Sequence, residues 1–399
     1  MSAVADRSAT AEPRAGFTFV LSGAMIMMAG AAAPTLFYPV LQQQIGFAPA
    51  MISAIFAIYA VALLVALLTV GSLSDHIGRR PAISAGFAGL ALAVVMFWQA
   101  ETVAGLLAAR AVQGLATGLL MPALSAAAVE FEPRSRPGSA AIWSAVLPLF
   151  GLAAGAMVAG VAMKYGASPE AEVFGGLAIL YAVFLLACWR LPETSPRHEG
   201  VWAALKPRVG VPAAARAAFR RSAPAVFAGW AIGGLYLSLG IGLVARVFGI
   251  VDPVAEAGVI LLLAGTGALS TFLARRYHQR AVLLTGSAAL SLGTLLSVAG
   301  MQADALTLYL VGLVISGVGF GTCFYGTIRS LIPLARPEER GELFAALYVL
   351  SYLAFGVPTV IAGLIAPQAG LLATATVYGI IVAIAAAAAW AWRRFATTD

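Results

Sequence analysis

Residues 50–70 read AMISAIFAIYAVALLVALLTV, and residues 71–81 continue as GSLSDHIGRRP. The first stretch has no charged side chain, and about 20 such residues are enough for an α-helix to cross the apolar layer of a bilayer. The second stretch places Asp75, His76, Arg79 and Arg80 in a short loop before another apolar run begins at Ala82. A charge-free run followed by a short basic loop is typical of neighbouring membrane-spanning helices.

The same pattern continues along the whole chain. Of its 399 residues 61% are hydrophobic and 10% are charged, whereas soluble domains are about 25% charged. This composition excludes a soluble globular protein and a disordered chain, and the continuous apolar runs are unlike the alternating strands of a membrane β-barrel. It predicts an all-α polytopic membrane protein with twelve transmembrane helices, near residues 17–38, 50–70, 82–98, 103–130, 139–163, 174–189, 223–248, 254–274, 281–299, 306–334, 343–366 and 371–392.

The longest interruption divides these helices into six plus six. We expect a disordered amino-terminal segment at residues 1–16, a six-helix bundle at 17–189, a linker at 190–222, a second bundle at 223–394 and a tail at 395–399. Residues 132–136 (EPRSR) follow the fourth run, and residues 336–340 (RPEER) follow the tenth. The similarity predicts two pseudo-symmetric bundles, the kind of repeat from which membrane transporters are built.

Positive charge is concentrated on one predicted side of the membrane. An even number of spans puts both termini on that side, together with the basic loops and linker. The loops of the other side hold only two basic residues, Lys164 and Arg246, against the acidic residues Glu101, Glu170, Glu172, Asp252, Glu256 and Asp304. Basic loops stay in the cytoplasm, so both termini are predicted to be cytoplasmic, in a bacterial-type inner membrane. The net charge of +7 is thus explained by topology, and no nucleic-acid partner is expected.

The sequence shows no pattern typical of an enzyme active site or of a metal-binding site. Two cysteines, Cys188 and Cys323, lie in apolar runs, and the three histidines do not cluster. There is no grouping of nucleophile and base, no metal-ligand spacing and no phosphate-binding loop. We therefore expect no catalysis, no cofactor and no metal.

The loop Gly71–Pro81 resembles the G-x-L-x-D-x-x-G-R-R loop of the major facilitator superfamily, and the helix count, the two halves and the linker extend that resemblance over nearly the whole chain. The resemblance implies that Asp75 holds the two bundles together near the start of the eleventh helix, whereas simple anchoring of the loop would require only the arginines. His76 departs from the family, which usually has Arg or Lys there. The expected conformational latch comprises Gly71, Asp75, Gly78, Arg79, Arg80, Glu130, Glu132 and Glu342.

The stretch Arg110-Ala111-Val112-Gln113-Gly114 resembles the R-x-x-Q-G signature of proton-coupled drug and small-molecule exporters in that superfamily. The resemblance implies that Arg110, Gln113 and Gly114 serve coupling or substrate contact, the alternative being an arginine that reaches the outer interface. Arg329, the other embedded cation, either lines the pathway, binds an anionic group or extends to the cytoplasm.

Aromatic side chains in the spans are candidates for lining a cavity, although most such residues only pack. The candidates are Tyr38, Trp143, Trp230, Tyr236, Tyr325, Tyr348 and Tyr352. Two features separate the chain from strict drug/proton antiporters. The proline of the fifth helix, Pro148, comes before the glycines, and no acidic residue lies in the middle of a span.

The resemblance implies a monomeric secondary transporter that moves a small molecule by alternating access, with proton-coupled efflux as the expected role and protons and the lipid bilayer as its other partners. One alternative is uptake or facilitated diffusion of a metabolite. An alternative of another class is a membrane receptor or scaffold that transports nothing, which the short loops disfavour.

Overall fold

The computed structural model describes residues 2–195, 197–200, 202, 205–336 and 339–395, with side chains from Arg14 onward. Within these ranges the regular structure is helical throughout. Eleven described helices are long and apolar enough to cross a membrane, and one bent pair brings the number to as many as twelve. The predicted all-α polytopic fold is confirmed.

We number the spanning helices α1 to α12. Short helical turns, such as Ser74–Ile77 and Ile332–Leu334, connect some of them. The helices are α1 (Ser2–Ile45), α2 (Ala50–Val70), α3 (Arg79–Trp98), α4 (Val103–Glu130), α5 (Ser139–Tyr165), α6 (Ala171–Arg190), α7 (Arg216–Ser238, continued by Gly240–Val247), α8 (Pro253–Ala274), α9 (Gln279–Gln302), α10 (Leu306–Leu331), α11 (Arg340–Ala369) and α12 (Leu371–Phe395).

The first helix is longer at both ends than its apolar run. It begins at Ser2, where we expected a disordered segment over residues 1–16, because the alanine-rich stretch has high helix propensity. It continues past Tyr38 to Ile45 and ends at Gly46, whose φ of 79° suits a glycine and whose N–H donates to the carbonyl of Gln42. The part with the character of a span is Arg14–Ile45.

The seventh span is bent and begins inside the predicted linker. Helix α7 starts at Arg216, and its two parts, Ala213–Ser238 and Gly240–Val247, meet at 58°. The bend lies next to Gly240, where the absence of a side chain lowers helix propensity. We predicted one helix over residues 223–248, because the apolar run continues through the position of the bend.

The two bundles have equivalent packing. In the first bundle, α1 packs on α5, α2 on α4, and α3 on both α4 and α6. Each of these pairs recurs six helices later, as α7 on α11, α8 on α10, and α9 on both α10 and α12. The contacts between bundles obey the same relation, because α2 packs on α11 and α5 on α8. This correspondence supports the predicted internal duplication.

Glycines bring equivalent helices into backbone contact. A Cβ at Gly114 of α4 would lie 2.5 Å from the carbonyl oxygen of Tyr59 in α2, and one at Gly317 of α10 would lie 2.7 Å from that of Leu263 in α8. Small residues at such positions let membrane helices approach closely. Gly114, a candidate for coupling, therefore has a packing role in the structure.

Because successive spans alternate in direction, the loops fall on two sides. We call the side of the α2–α3, α4–α5, α8–α9 and α10–α11 loops the arginine-rich side, and the other the opposite side.

Candidate functional site

Arg110 lies inside the first bundle with only 1% of its surface exposed. Its Nε donates to the hydroxyl of Tyr38 over 2.5 Å, and its Nη1 donates to Oε1 of Gln113 over 2.5 Å and to the carbonyl of Ala31 over 3.3 Å. Gln113 in turn donates from Nε2 to the carbonyl of Gly30 over 2.8 Å. Arg110 and Gln113 lie one helical turn apart on α4, and both thus donate hydrogen bonds to α1.

Four aromatic rings surround the Arg110 guanidinium. Their centroids lie 5.2 to 5.5 Å from its central carbon, in Tyr38, Phe56, Tyr59 and Phe97. No described carboxylate forms an ion pair with Arg110, and its Nη2 is buried without a hydrogen-bond partner. A charge inside a span costs about 2.5–3.5 kcal/mol on insertion scales, and ring faces offset part of that cost. The arrangement therefore keeps a cation, with one donor unused, in an apolar bundle.

A cavity of about 60 Å³ lies between the bundles, in the part nearer the arginine-rich side. Most of its lining comes from α1, α4 and α5, and Tyr348 of α11 closes it from the second bundle. The lining is apolar except for two serines and the tyrosine. It consists of Val20, Leu21, Ala24, Met27, Met121, Leu124, Ser125, Ala128, Ser144, Pro148 and Tyr348.

Aromatic side chains of the second bundle gather beside this cavity. The ring of Trp230 in α7 lies 4.9 Å from that of Tyr352 and 5.5 Å from that of Phe324. Tyr348 lies 6.3 Å from Tyr352, and Tyr348, Tyr352 and Trp230 pack against the core of the first bundle. The structure thus brings together three of the predicted cavity residues at the contact between bundles.

Trp143, Tyr325 and Arg329 lie at the arginine-rich ends of α5 and α10, around the end of α8. Trp143 packs on Phe272, with ring centroids 5.5 Å apart, and Tyr325 joins the same cluster. Arg329 donates to the carbonyls of Ala274 (3.4 Å) and Tyr277 (3.1 Å). A cation at these last carbonyls stabilises the end of α8, which gives Arg329 a structural role.

Tyr236, also predicted as cavity lining, lies elsewhere. Its side chain is 1% exposed, and its ring meets that of Tyr309 edge to face, with centroids 6.2 Å apart, within the core of the second bundle. The residue therefore packs α7 inside its own bundle. A single sequence cannot distinguish the two kinds of position, because both the bundle core and the pathway accept an aromatic ring.

On the arginine-rich side, Arg79 is the centre of an ion-pair cluster. Its Nη1 lies 2.5 Å from Oδ1 of Asp75 and 2.6 Å from Oγ of Ser74, and its Nη2 lies 2.8 Å from Oε1 of Glu130. Thr194 of the linker donates to the same Glu130. The cluster thus joins the α2–α3 loop, the end of α4 and the linker, all within one half of the molecule.

Glu193 of the linker caps the start of α3. Its carboxylate accepts from the backbone N–H groups of Arg79 (2.7 Å), Arg80 (3.2 Å) and Ser195 (3.0 Å). Burial opposes its ionisation, but these N–H groups and Arg197 outweigh burial and lower its pKa. Gly78, with φ of 113°, permits the approach, since a Cβ there would lie 2.7 Å from the Glu193 carboxylate.

The other residues of the expected latch lie at separate places and do not contact one another. Glu132 accepts from Ala140 N–H over 2.6 Å and so caps the start of α5. Glu342, near the start of α11, lies against Gly210, whose N–H donates to its carbonyl over 3.3 Å. Gly71 ends α2, and Nε of Arg80 is buried without a hydrogen-bond partner. Among the described ion pairs Asp75 contacts Arg79 and not the start of α11, which differs from the contact we expected.

The opposite side has an ion pair between the bundles that the sequence did not reveal. Nζ of Lys164, at the end of α5, lies 2.5 Å from Oδ2 of Asp252, which precedes α8. Asp252 also accepts from the N–H groups of Val254 (3.1 Å) and Ala255 (2.9 Å). The hydrogen bond from Lys164, followed by those from Ala255 and Val254, lowers the pKa of Asp252.

Close packing on that side accompanies the ion pair. A Cβ at Gly160 of α5 would lie 2.5 Å from the carbonyl oxygen of Pro253 in α8. At the other contact between the bundles, that of α2 with α11, Gly363 of α11 packs directly on Ser53 of α2, and a Cβ at Gly363 would overlap that serine. Both contacts between bundles are therefore closed at their opposite-side ends.

The burial of Glu256 was not predicted, since in the sequence this residue is one of the charges of an opposite-side loop. The residue lies in the first turn of α8 and is 7% exposed, the only carboxylate among the buried residues that the structure describes. It adjoins Ala257, against which Gly160 packs. Its burial was not visible in the sequence, because a charge near the end of an apolar run is typical of a loop.

Comparisons with known proteins agree with this architecture. The human organic anion transporter MFSD10 (TETRAN) has a similar fold, with a TM-score of 0.67 over 94% of this chain and 99% of that one at 19% identity. The tetracenomycin C resistance and export protein of Streptomyces glaucescens is 29% identical over 187 residues, which are 46% of this chain and 34% of that protein. The match thus spans about a third of the relative's length.

A sequence model of the Major Facilitator Superfamily matches residues 19–333, most of both bundles. The match includes the loop Gly71–Pro81, the R-x-x-Q-G stretch and the linker, from which the resemblance was first inferred. Together with the duplicated helix packing, it shows that the chain is a transporter of the major facilitator superfamily.

Proposed function

We propose that this chain exports a small, mainly apolar organic molecule by alternating access, in exchange for protons. One observation carries the proposal: the bundles are closed together at their opposite-side ends, whereas the cavity between them lies toward the arginine-rich side. The concentration of arginines there supports a cytoplasmic location of that side, by the positive-inside rule. At about 60 Å³ the cavity is smaller than the roughly 300–1,000 Å³ of ligand pockets, so loading of a substrate from that side requires the bundles to separate further there.

The lining of the cavity supports the class of substrate. Methionine and aliphatic side chains form most of it, and Ser125, Ser144 and Tyr348 form the rest. Apolar pockets with a few polar groups bind apolar molecules and use those groups for orientation. The export named in the S. glaucescens relative agrees with this direction of transport.

Proton exchange requires a group that gains and loses a proton during the cycle. Glu256 is buried next to the α5–α8 contact, so its protonation state would alter the environment of that contact when the bundles separate. Acidic residues inside spans commonly have this role. We assign proton coupling to Glu256 and substrate or coupling contact to Arg110 and Gln113.

The Arg79 cluster is proposed as the conformational latch. In the present arrangement Asp75 is paired within its own half, and Arg79 and Glu130 hold the α2–α3 loop. A rearrangement that separates the bundles on the opposite side would bring the starts of α3 and α11 together. Asp75 could then exchange Arg79 for the N-terminus of α11, which favours an anion.

The test is transport of tetracenomycin C into inside-out vesicles that contain the protein. We expect accumulation when the vesicle interior is acidic and loss of accumulation when a protonophore is added. Equal rates with and without the gradient would contradict exchange and favour facilitated diffusion. Transport of no compound from a diverse panel would favour a receptor or scaffold.

The role of Glu256 needs a matched pair of variants. Glu256→Gln should abolish the response to the proton gradient while counterflow without a gradient persists. Glu101→Gln, an exposed acid on the same side, should respond as the unmodified protein does. An unchanged gradient response in Glu256→Gln would remove this residue from coupling but leave export intact.

A further inference from the structure

Another cavity, of about 480 Å³, lies on the opposite side of the molecule. All of its lining residues belong to the first bundle, at the ends of α1, α3 and α5 and around the loop that leads into α6. Its volume is within the roughly 300–1,000 Å³ of ligand pockets. We call this cavity the side pocket, because its lining places it outside the path between the two bundles.

The wall of the side pocket is mainly apolar and partly aromatic. Trp98, the last residue of α3, belongs to the lining and is 44% exposed. Phe37 of α1 also lines the pocket, and its ring packs on that of Phe174 in α6 with centroids 4.9 Å apart. The first turn of α6, Ala171–Gly175, is a π-helical turn, a form that recurs at functional sites. The pocket thus presents aromatic side chains at the meeting point of three helices.

Among the lining residues only Glu170 is charged. It is partly buried, and no ion pair joins it to a cation in the part of the chain that the structure describes. Lys164, the nearest cation along the chain, is paired with Asp252 over 2.5 Å. Arg110 is 1% exposed, and the four rings around it are not part of the lining. The negative charge of the side pocket is therefore not neutralised by a described side chain.

We propose that the side pocket binds a small organic ammonium compound. The ammonium group lies between the Glu170 carboxylate and the Trp98 ring, and the apolar body of the compound lies against Val40 and Met163. A carboxylate and the face of an indole ring both attract a cation, and aromatic surfaces of this kind recognise quaternary ammonium ligands.

The position of the pocket favours a water-soluble compound over the ammonium headgroup of a lipid. Ser168 and Glu170 belong to the loop between α5 and α6, so the polar part of the lining is at the water-facing end of the bundle. Because all the lining comes from one bundle, the compound is a bound effector and is not the molecule that passes between the bundles.

The experiment is isothermal titration calorimetry of the purified full-length protein in neutral detergent, with benzyltrimethylammonium as the probe. Benzenesulfonate, an aromatic anion of similar size, is the comparison. We expect the ammonium compound to bind at least about tenfold more tightly, because a carboxylate attracts the one and repels the other. Addition of phosphatidylcholine should leave its affinity unchanged.

Two pairs of variants test the residues. Glu170→Gln should weaken binding of the ammonium compound about fivefold, the upper range for a partly exposed ion pair. Asp304→Asn, which removes an exposed acid on the same side of the second bundle, should not change it. Trp98→Leu should also weaken binding about fivefold through loss of the ring face, whereas Trp189→Leu, at a tryptophan 55% exposed at the other end of α6, should not.

Thermal unfolding of each variant reports folding separately from binding, and Trp98→Phe should retain most of the affinity because it keeps a ring. Three outcomes would overturn the proposal. One is equal affinity for benzyltrimethylammonium and benzenesulfonate. Another is unchanged affinity for the ammonium compound in folded Glu170→Gln and Trp98→Leu variants. The third is loss of binding on addition of phosphatidylcholine, which would assign the pocket to a lipid headgroup.

Discussion

Lys164 and Asp252 join the two bundles on the side opposite the arginine-rich loops, with Nζ of one 2.5 Å from Oδ2 of the other. The two side chains are 37% and 31% exposed, so the pair is accessible to water and to the pH of that side. It lies where α5 and α8 must part if the molecule opens in that direction.

Loss of this ion pair should shift the molecule toward the open form on that side. We expect Lys164→Met to increase labelling of a cysteine at Ala257, which is fully buried at the same contact, by up to about fivefold, since exposed pairs have small effects. The measurement is the rate of reaction with a membrane-impermeant maleimide. Arg246→Met, which removes another exposed cation on that side, is the control and should not change the rate.

The same labelling should depend on pH in a defined way. Because Lys164 and two N–H groups lower the pKa of Asp252 from its ordinary 3.8, the ion pair is fully formed above that value and is lost only as pH falls through the lowered pKa. Because only the thiolate of the cysteine reacts, its intrinsic reactivity falls with pH, so the quantity compared is the ratio of the labelling rates in Lys164→Met and in the parent. We expect this ratio to stay constant between pH 8 and pH 5. A change in the ratio near pH 6 would contradict this assignment and point to another titrating group.

Two glycines of α11 form a matched test of the α2–α11 contact. Gly363→Ala would overlap Ser53, so α2 and α11 must move apart at a cost of about 1–3 kcal/mol. Gly356→Ala, seven residues earlier, meets Ala60 at an ordinary 3.6 Å and should be tolerated. We expect only the first to slow transport and to increase labelling from the opposite side. Equal behaviour of both variants would contradict the closed contact.

Arg110 should be required for transport more than for folding. Arg110→Met keeps the length of the side chain and removes a buried charge, so we expect stability to change by less than about 2 kcal/mol, as the loss of the Tyr38 and Gln113 bonds is offset by the lower cost of burial. Transport should fall at least about 100-fold. Arg110→Lys should not restore it, because lysine lacks the fork that reaches both partners.

Thermal unfolding and vesicle transport, measured on the same preparations, separate the two effects. Wild-type transport by Arg110→Met would contradict a role in coupling or substrate contact. Unfolding of both variants would instead show that the arginine serves mainly to hold α4 on α1.

Glu193 should stabilise the first bundle in a pH-dependent way. Glu193→Ala removes the acceptor of three N–H groups at the start of α3, and we expect a loss of about 1 kcal/mol in unfolding free energy. Its pKa is lowered from 4.5, so the contribution is present above that value and is lost as pH falls through the lowered pKa. The difference in Tm between Glu193→Ala and the parent should therefore shrink below pH 4. Glu199→Gln, an exposed linker acid, is the control.

The sequence was sufficient to predict the spans, because a bilayer requires continuous apolar helices of nearly fixed length. The runs at Ala50–Val70 and Val103–Glu130 match the observed helices at both ends. The bend after Ser238 was not predicted, since an apolar helix and a broken one have the same composition. The extension of α1 to Ser2 was missed because those residues are helical without being apolar.

The candidate site was harder to predict than the fold. The resemblance to the R-x-x-Q-G signature singled out Arg110 and Gln113, and the structure joins them by a hydrogen bond. Contacts between distant segments were not evident: Lys164 and Asp252 appeared only as loop charges, and Tyr236 could not be separated from Tyr348 by type. In a membrane protein the lipid-facing and core-facing surfaces are both apolar, so the pattern of hydrophobicity does not orient a helix.

The ring-lined position of Arg110 also has an effect at a distance. A guanidinium without a paired carboxylate contributes an uncompensated positive potential, and in surroundings with an effective dielectric constant near 20 it raises the energy of a monovalent cation 8 Å away by about 2 kcal/mol. That difference corresponds to roughly thirtyfold discrimination between cationic and neutral solutes. If substrate passes within this distance of Arg110, as the proposed function requires, we expect the first bundle to favour neutral solutes over organic cations by about that factor.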